Sequence, residues 1–190
     1  LISLHCGSRA LGHQIGTDYL SVLADASRKY KIPIRERELV CAPIHSKEGQ
    51  EYFSAMLCAL NYAYANRQII TYLVRESMKK VFPHAEAQTF YEITHNSAKK
   101  EKHVIDGKMK EVYVHRKGAT RAFGPEHENI PSKYRSIGQP AIIGGTMGTA
   151  SFILHGTEYG MLHSFGSACH GSGRAMSRTS AKKRWLGKDV

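Results

Sequence analysis

Three strings in this 190-residue chain set histidine beside glycine or a small polar residue: His5-Cys6-Gly7-Ser8-Arg9, Thr94-His95-Asn96 and Cys169-His170-Gly171-Ser172-Gly173-Arg174. A neutral imidazole suits two tasks, metal ligation and nucleophilic attack. Each of these three rings falls at the end of a predicted strand. The strand would fix the ring while the adjoining loop admits a substrate. Taken singly, each is better explained by a structural histidine; as a set of three they point to a site.

Two further strings carry weaker signals. Gly144-Gly145-Thr146-Met147-Gly148-Thr149-Ala150-Ser151 is a glycine and hydroxyl loop of the kind that lets main-chain N–H groups approach a nucleotide. It lacks the GxxxxGK[ST] spacing of a P-loop, and by itself a plain β-turn explains it better. The string His115-Arg116-Lys117-Gly118-Ala119-Thr120-Arg121 fits phosphate binding, as does the simpler reading of a solvated charged loop. Aromatic interleaving is modest, so no base-stacking platform is indicated.

The elements that must position these residues can be read from periodicity. Leu1 to Cys6 reads as a short buried strand, and Gly7-Ser8 turns into a helix from about Arg9 to Tyr30, with Leu11, Ile15, Tyr19 and Leu23 on one face. A connector through Pro33 and Pro43 leads to a long helix, Glu48 to Val81, stopped by Pro83. The period then changes to two over Tyr91, Ile93 and His95, and an Asp106-Gly107 turn precedes Val112 and Val114. Pro140 to Ile143 and Ser151 to Leu154 read as strands, with a short basic helix starting near Gly173. No strand-helix alternation supports a Rossmann-type doubly wound sheet, so the expected class is α+β within one unit spanning residues 1–190.

Composition narrows the partners. A hydrophobic content of 42% in 190 residues is enough for one substantial core, and the formal charge of +11 calls for a polyanion. The excess is uneven: Ser97 to Arg121 holds eight Lys or Arg against three acids, and Arg174 to Val190 holds six against one. Cys6, Cys41, Cys58 and Cys169 lack paired CxxC spacing and read as reduced thiols of a cytoplasmic protein. No apolar run reaches the roughly 18 residues that cross a bilayer. The chain opens without methionine, in what reads as a buried strand, so a piece of a longer protein is expected.

Taken in order, the strings His5 to Gly12, Asn61 to Arg67, His95-Asn96, Arg116 to Ala122, Gly145 to Ser151 and Ser164 to Arg174 with Ser177-Arg178 resemble the RtcB family of RNA-splicing ligases over essentially the whole chain. The resemblance implies the family's mixed α/β fold. It implies GTP- and manganese-dependent joining of an RNA 3′-phosphate, or 2′,3′-cyclic phosphate, to a 5′-hydroxyl, as in tRNA splicing and RNA repair. On the same footing His170 would take GMP from GTP as a histidine-guanylate, and His5 and His95 would be ligands of a two-ion manganese site. His95, Asn96, Gly144, Gly145, Thr146, Met147, Ser151, His170, Gly171, Ser172 and Gly173 would hold the guanine nucleotide. Arg9, Lys117 and Arg178 would grip RNA phosphates, and an archease-type activating protein is the partner implied beside RNA.

Departures from the family pattern stand beside the matches. The family's metal site also uses a cysteine, an aspartate and another histidine upstream of His5, and a nucleotide-contacting lysine lies beyond position 190. Cys6 is no substitute for that cysteine if Leu1 to Cys6 is a strand, since it would face away from His5. Gly144-Gly145-Thr146 stands where the family usually has Pro-Gly-Ser. The alternative to a ligase segment is therefore a non-catalytic nucleotide- and RNA-binding module derived from one.

Overall fold

A computed structural model of the chain describes residues 1–146, 148–173 and 175–185, and it divides into two compact units, Leu1–Gln88 and Thr89–Val190.

Unit 1 is built on two helices. Helix α1 spans Arg9–Lys29 and buries Leu23, Ala26 and Ser27. The Ser27 hydroxyl donates to the Leu23 and Cys41 carbonyls and accepts from Cys41 N–H, which ties the connector to the helix. Helix α2 spans Lys47–Val81, 35 residues, or about 50 Å at 1.5 Å per residue. Its first turn is capped by Ser46, whose Oγ accepts from Gly49 N–H at 3.1 Å, and Glu48 sits in that turn where a negative charge favours the helix dipole. Lys29 and the Tyr30 hydroxyl both donate to Glu48, at 2.7 and 3.0 Å, and the Lys29 ammonium is the first reason the Glu48 carboxyl is pushed down to about 2. Tyr19 packs on Tyr52 with ring centroids 5.2 Å apart, so α1 and α2 lie against each other.

Unit 2 carries three two-stranded antiparallel sheets. Strands β1 (Asn96–Ile105) and β2 (Lys108–Lys117) form a hairpin closed by Asp106 and Gly107. Both turn residues have positive φ, 54° and 72°, as a type I′ turn requires. Strand β3 (Ala119–Arg121) pairs with β6 (Ser167–Cys169), and β4 (Pro140–Ile143) with β5 (Phe152–His155). Helix α3 (Glu158–Ser164) is capped by Thr157, and helix α4 spans Arg178–Arg184. Phe123, Ile130 and Thr120 are fully buried, with Ala122 and Ala141 beside them in burial.

The α+β class is as expected, with no parallel sheet of the Rossmann or P-loop kind among the described residues. Both helix ranges and the hairpin turn follow the sequence pattern. Three expectations need correction. Leu1 to Cys6 is irregular and not a buried strand, with Leu1 96% exposed, so the argument that Cys6 faces away from His5 loses its basis. Tyr91 to His95 is also outside any strand, because β2 ends at Lys117 and supplies ladder partners only from Asn96 onward. The basic helix starts at Arg178, where Ser177 caps it, and not near Gly173. Among the described residues most of the buried apolar ones are alanines, while Phe152, Ile153 and Leu154 of the narrow β4–β5 ribbon stay exposed.

Candidate functional site: a histidine pair at one glycine

The chemistry of unit 2 centres on Gly118, the residue between β2 and β3. Its φ of 68° turns the chain so that its N–H donates to the His95 carbonyl at 2.8 Å, while its own carbonyl accepts from His170 N–H at 3.2 Å. The same carbonyl lies 3.0 Å from His170 Nδ1. A carbonyl oxygen only accepts, so Nδ1 carries the proton, and in the neutral ring the lone pair belongs to Nε2. The His95 and His170 rings are stacked, with centroids 4.1 Å apart and planes 18° from parallel. An oriented imidazole with a defined nucleophilic nitrogen is what attack on phosphorus needs.

The glycine loop reaches the same place through its backbone. Gly144 N–H donates to the His170 carbonyl at 3.1 Å, and Ser172 N–H to the Gly144 carbonyl at 2.9 Å, which forms a parallel bridge between Gly144 and Gly171. Gly171 has φ 148°, and a Cβ there would run into the Gly144 backbone. Within the loop, Gly145 N–H donates to the Ser151 hydroxyl and Thr146 N–H to the Thr149 hydroxyl, at 3.1 and 2.7 Å. The Ser151 hydroxyl, expected to meet a nucleotide, thus also holds the loop in shape. Met147 and Arg174 lie outside the described residues, as does the side chain of Arg178.

Asn96 and Lys117 face each other as the first pair of the β1–β2 ladder, both exposed. The basic string around Lys117 splits by burial. Arg116 is 4% exposed and forms a bidentate ion pair with Glu101 at 2.7 and 2.9 Å, whereas Arg121 donates to Gln139 and the Asn129 carbonyl. Burial first, with the Arg121 charge second, holds the Lys99 ammonium below its ordinary value.

In unit 1, His5 is exposed and Arg9 opens α1 with φ 53°. The loop between them is held from α2: Asn66 Nδ2 donates to the Gly7 carbonyl at 2.9 Å and Arg67 Nη1 to the Cys6 carbonyl at 3.4 Å. Among the described residues no three His, Cys, Asp or Glu side chains gather to hold a metal. The two imidazoles are suitable donors, but they do not make a metal centre by themselves. All four cysteines are free thiols.

Sequence reasoning missed Gly118, Asn66 and the Glu101–Arg116 pair. For the last, an acid inside a run of lysines, Lys99-Lys100-Glu101-Lys102, was the available signal.

The family described as "tRNA-splicing ligase RtcB" matches residues 1–190. A protein named tRNA-splicing ligase RtcB from Methanococcus maripaludis is 55% identical over 194 residues, which cover 100% of this chain and 40% of that protein. Its namesake from Archaeoglobus fulgidus is 53% identical over 193 residues, with the same coverage of 100% and 40%. The Methanocaldococcus jannaschii protein of that name is 55% identical over 194 residues, 100% of this chain and 20% of its own length. The chain thus spans less than half of the curated relatives it matches.

Proposed function

The chain belongs to the tRNA-splicing ligase RtcB family, and from that premise we propose that it supplies the guanylate-accepting part of an RNA ligase. The observation that carries this reading is the His170 ring, set by the Gly118 carbonyl so that Nε2 bears the lone pair. In the first step that lone pair attacks the α-phosphorus of GTP. A P–N bond forms, the bond from the α-phosphorus to the bridging oxygen breaks, and pyrophosphate leaves. An oxygen of the RNA 3′-phosphate then takes the guanylate, which frees His170. The RNA 5′-hydroxyl attacks the activated phosphate, loses its proton to solvent and expels GMP, leaving a phosphodiester. A 2′,3′-cyclic phosphate end would first have to be opened by water.

The Gly144–Thr146 backbone, Ser151 and the Gly171–Gly173 turn would cradle the nucleotide, with Asn96 at its rim. Lys117 would meet RNA phosphate, and Arg9 and Arg178 would add to that grip. His5 and His95 would each contribute an imidazole to manganese, whose charge would offset that of the phosphates; the remaining ligands would come from outside these 190 residues. No helix among the described residues is long and apolar enough to cross a membrane. We place the protein in the cytoplasm with RNA, and an archease-type activator, as its partners.

The test is incubation of the full-length protein with manganese and α-labelled GTP, followed by denaturing electrophoresis. An acid-labile band that disappears in His170→Ala, with RNA binding kept, is the expected result. A labelled His170→Ala band would overturn the nucleophile assignment. No label at all in the wild type would favour the binding module.

A further inference from the structure

The Glu101–Arg116 pair is an expensive thing to bury. Both side chains are almost inaccessible, at 5% and 2% exposure, and the guanidinium makes four hydrogen bonds. Two go to Glu101. The others run to β6 and to the turn after α3: Nε to the Ser167 hydroxyl at 2.9 Å and Nη2 to the Phe165 carbonyl at 2.8 Å. His103 completes the cluster, its Nε2 3.0 Å from the second Glu101 oxygen. The β1–β2 register puts Arg116 opposite Ser97, on the same hairpin face as Glu101 and His103. A buried ion pair is weak evidence for stability, since apolar packing of equal volume often does as well. The position of this pair points to a second role.

Arg116 precedes Gly118 by two residues, and Ser167 precedes His170 by three. One guanidinium therefore bridges the strand that leads to the Gly118 carbonyl and the strand that leads to the His170 ring. Phe165, whose carbonyl it holds, has a positive φ of 50°, unusual for a residue with a side chain, so the turn into β6 is of a kind that needs external fixing. We infer that Arg116, held by Glu101, is a positioning residue that keeps the His170 Nδ1–H on the Gly118 carbonyl and thereby keeps Nε2 as the nucleophilic nitrogen. The inference rests on the ligase reading for its catalytic consequence, but not for its structural one. A lysine at this position would keep the charge and lose the fork: three donors on a single nitrogen cannot span Glu101, Ser167 and Phe165 together.

The experiment uses the full-length protein in three forms: wild type, Arg116→Lys and Ser167→Ala. Histidine labelled with ¹⁵N reports the His170 tautomer without nucleotide, its signals assigned by their loss in His170→Gln. Single-turnover guanylate formation reports the rate. Arg116→Lys should show a mixed tautomer, a half-saturating GTP concentration within about twofold of wild type, and a rate lower by about 100-fold, the scale of an ångström-sized misplacement. An Arg116→Lys protein with a lower melting temperature but the wild-type tautomer and rate would overturn the inference, because the pair would then serve stability alone. Should Arg116→Lys fail to fold, Ser167→Ala decides. It leaves the ion pair whole and should shift the tautomer and slow guanylation by about fivefold, the scale of one neutral hydrogen bond; a wild-type tautomer in it overturns the inference. A wild type that shows the Nδ1–H tautomer, lost in Arg116→Lys, yet forms no guanylate would support the brace while removing the ligase reading.

Discussion

The carbonyl oxygen of Gly118 accepts two hydrogen bonds from one residue, His170, through its backbone N–H at 3.2 Å and its ring Nδ1–H at 3.0 Å. Backbone and ring are thus fixed by the same atom, and the conformation that presents this atom has φ 68°.

Gly118→Ala tests that conformation directly. A side chain at positive φ costs about 1–2 kcal/mol, and the added Cβ would sit 3.6 Å from His170 Nδ1, close enough to constrain the ring but not to clash. Urea titration should therefore show a loss of about 1 kcal/mol, and guanylate should form more slowly. A Gly118→Ala protein as stable and as fast as wild type would mean that the turn relaxes without disturbing His170.

Lys117 is exposed at the site end of the hairpin, opposite Asn96. Its replacement by alanine should weaken RNA binding about equally for all sequences and lower the dependence of log affinity on log salt by about one counterion. An unchanged slope would assign Lys117 to a solvated face.

Glu101 gives a pH dependence. Burial alone would push its carboxyl up, but hydrogen bonds from Arg116 and then His103 outweigh burial and hold it below its ordinary value. The folded state then binds fewer protons than the unfolded one. Its stabilising contribution is present above the ordinary carboxylate range and is lost as pH falls through the lower folded value. Glu101→Gln should cost about 3 kcal/mol at neutral pH and flatten the acid limb of stability against pH. Equal acid limbs in the two proteins would contradict the ion pair.

Asn66 holds the loop that carries His5. Asn66→Ala leaves the Gly7 carbonyl without its 2.9 Å donor and should destabilise the protein by about 1 kcal/mol, read as a lower urea midpoint at unchanged slope. A neutral result would show that water replaces the amide there.

What could be read in advance was what local spacing dictates. The end of α2 was marked by Pro83, and the hairpin by Asp106-Gly107, because breakers and turns are decided within four or five residues. The alternation of Tyr91, Ile93 and His95 was equally local and misleading: whether it joins a ladder depends on where β2 stops, and Gly118 stops it. Leu1 to Cys6 went the same way, being apolar enough for a strand yet paired with none among the described residues. The histidines and the glycine loop were legible as a set by residue type. That Gly118 would join them was not, since nothing in an Arg-Lys-Gly-Ala string says which carbonyl will meet a ring 52 positions later. Nor could charge alone tell Arg116, which turns inward to Glu101, from Lys117, which stays in water.

That 52-residue separation has a kinetic meaning. Helices α1 and α2 close through neighbours along the chain and can form within microseconds of being made. The meeting of β3 with β6, by contrast, must wait for a long loop to close, and contacts of this kind dominate slow folding. During synthesis from the N-terminus, His95 and Gly118 leave the ribosome well before His170. The His170 ring thus meets the Gly118 carbonyl only after the chain between them has been made, so this contact appears in one late event instead of growing with the chain.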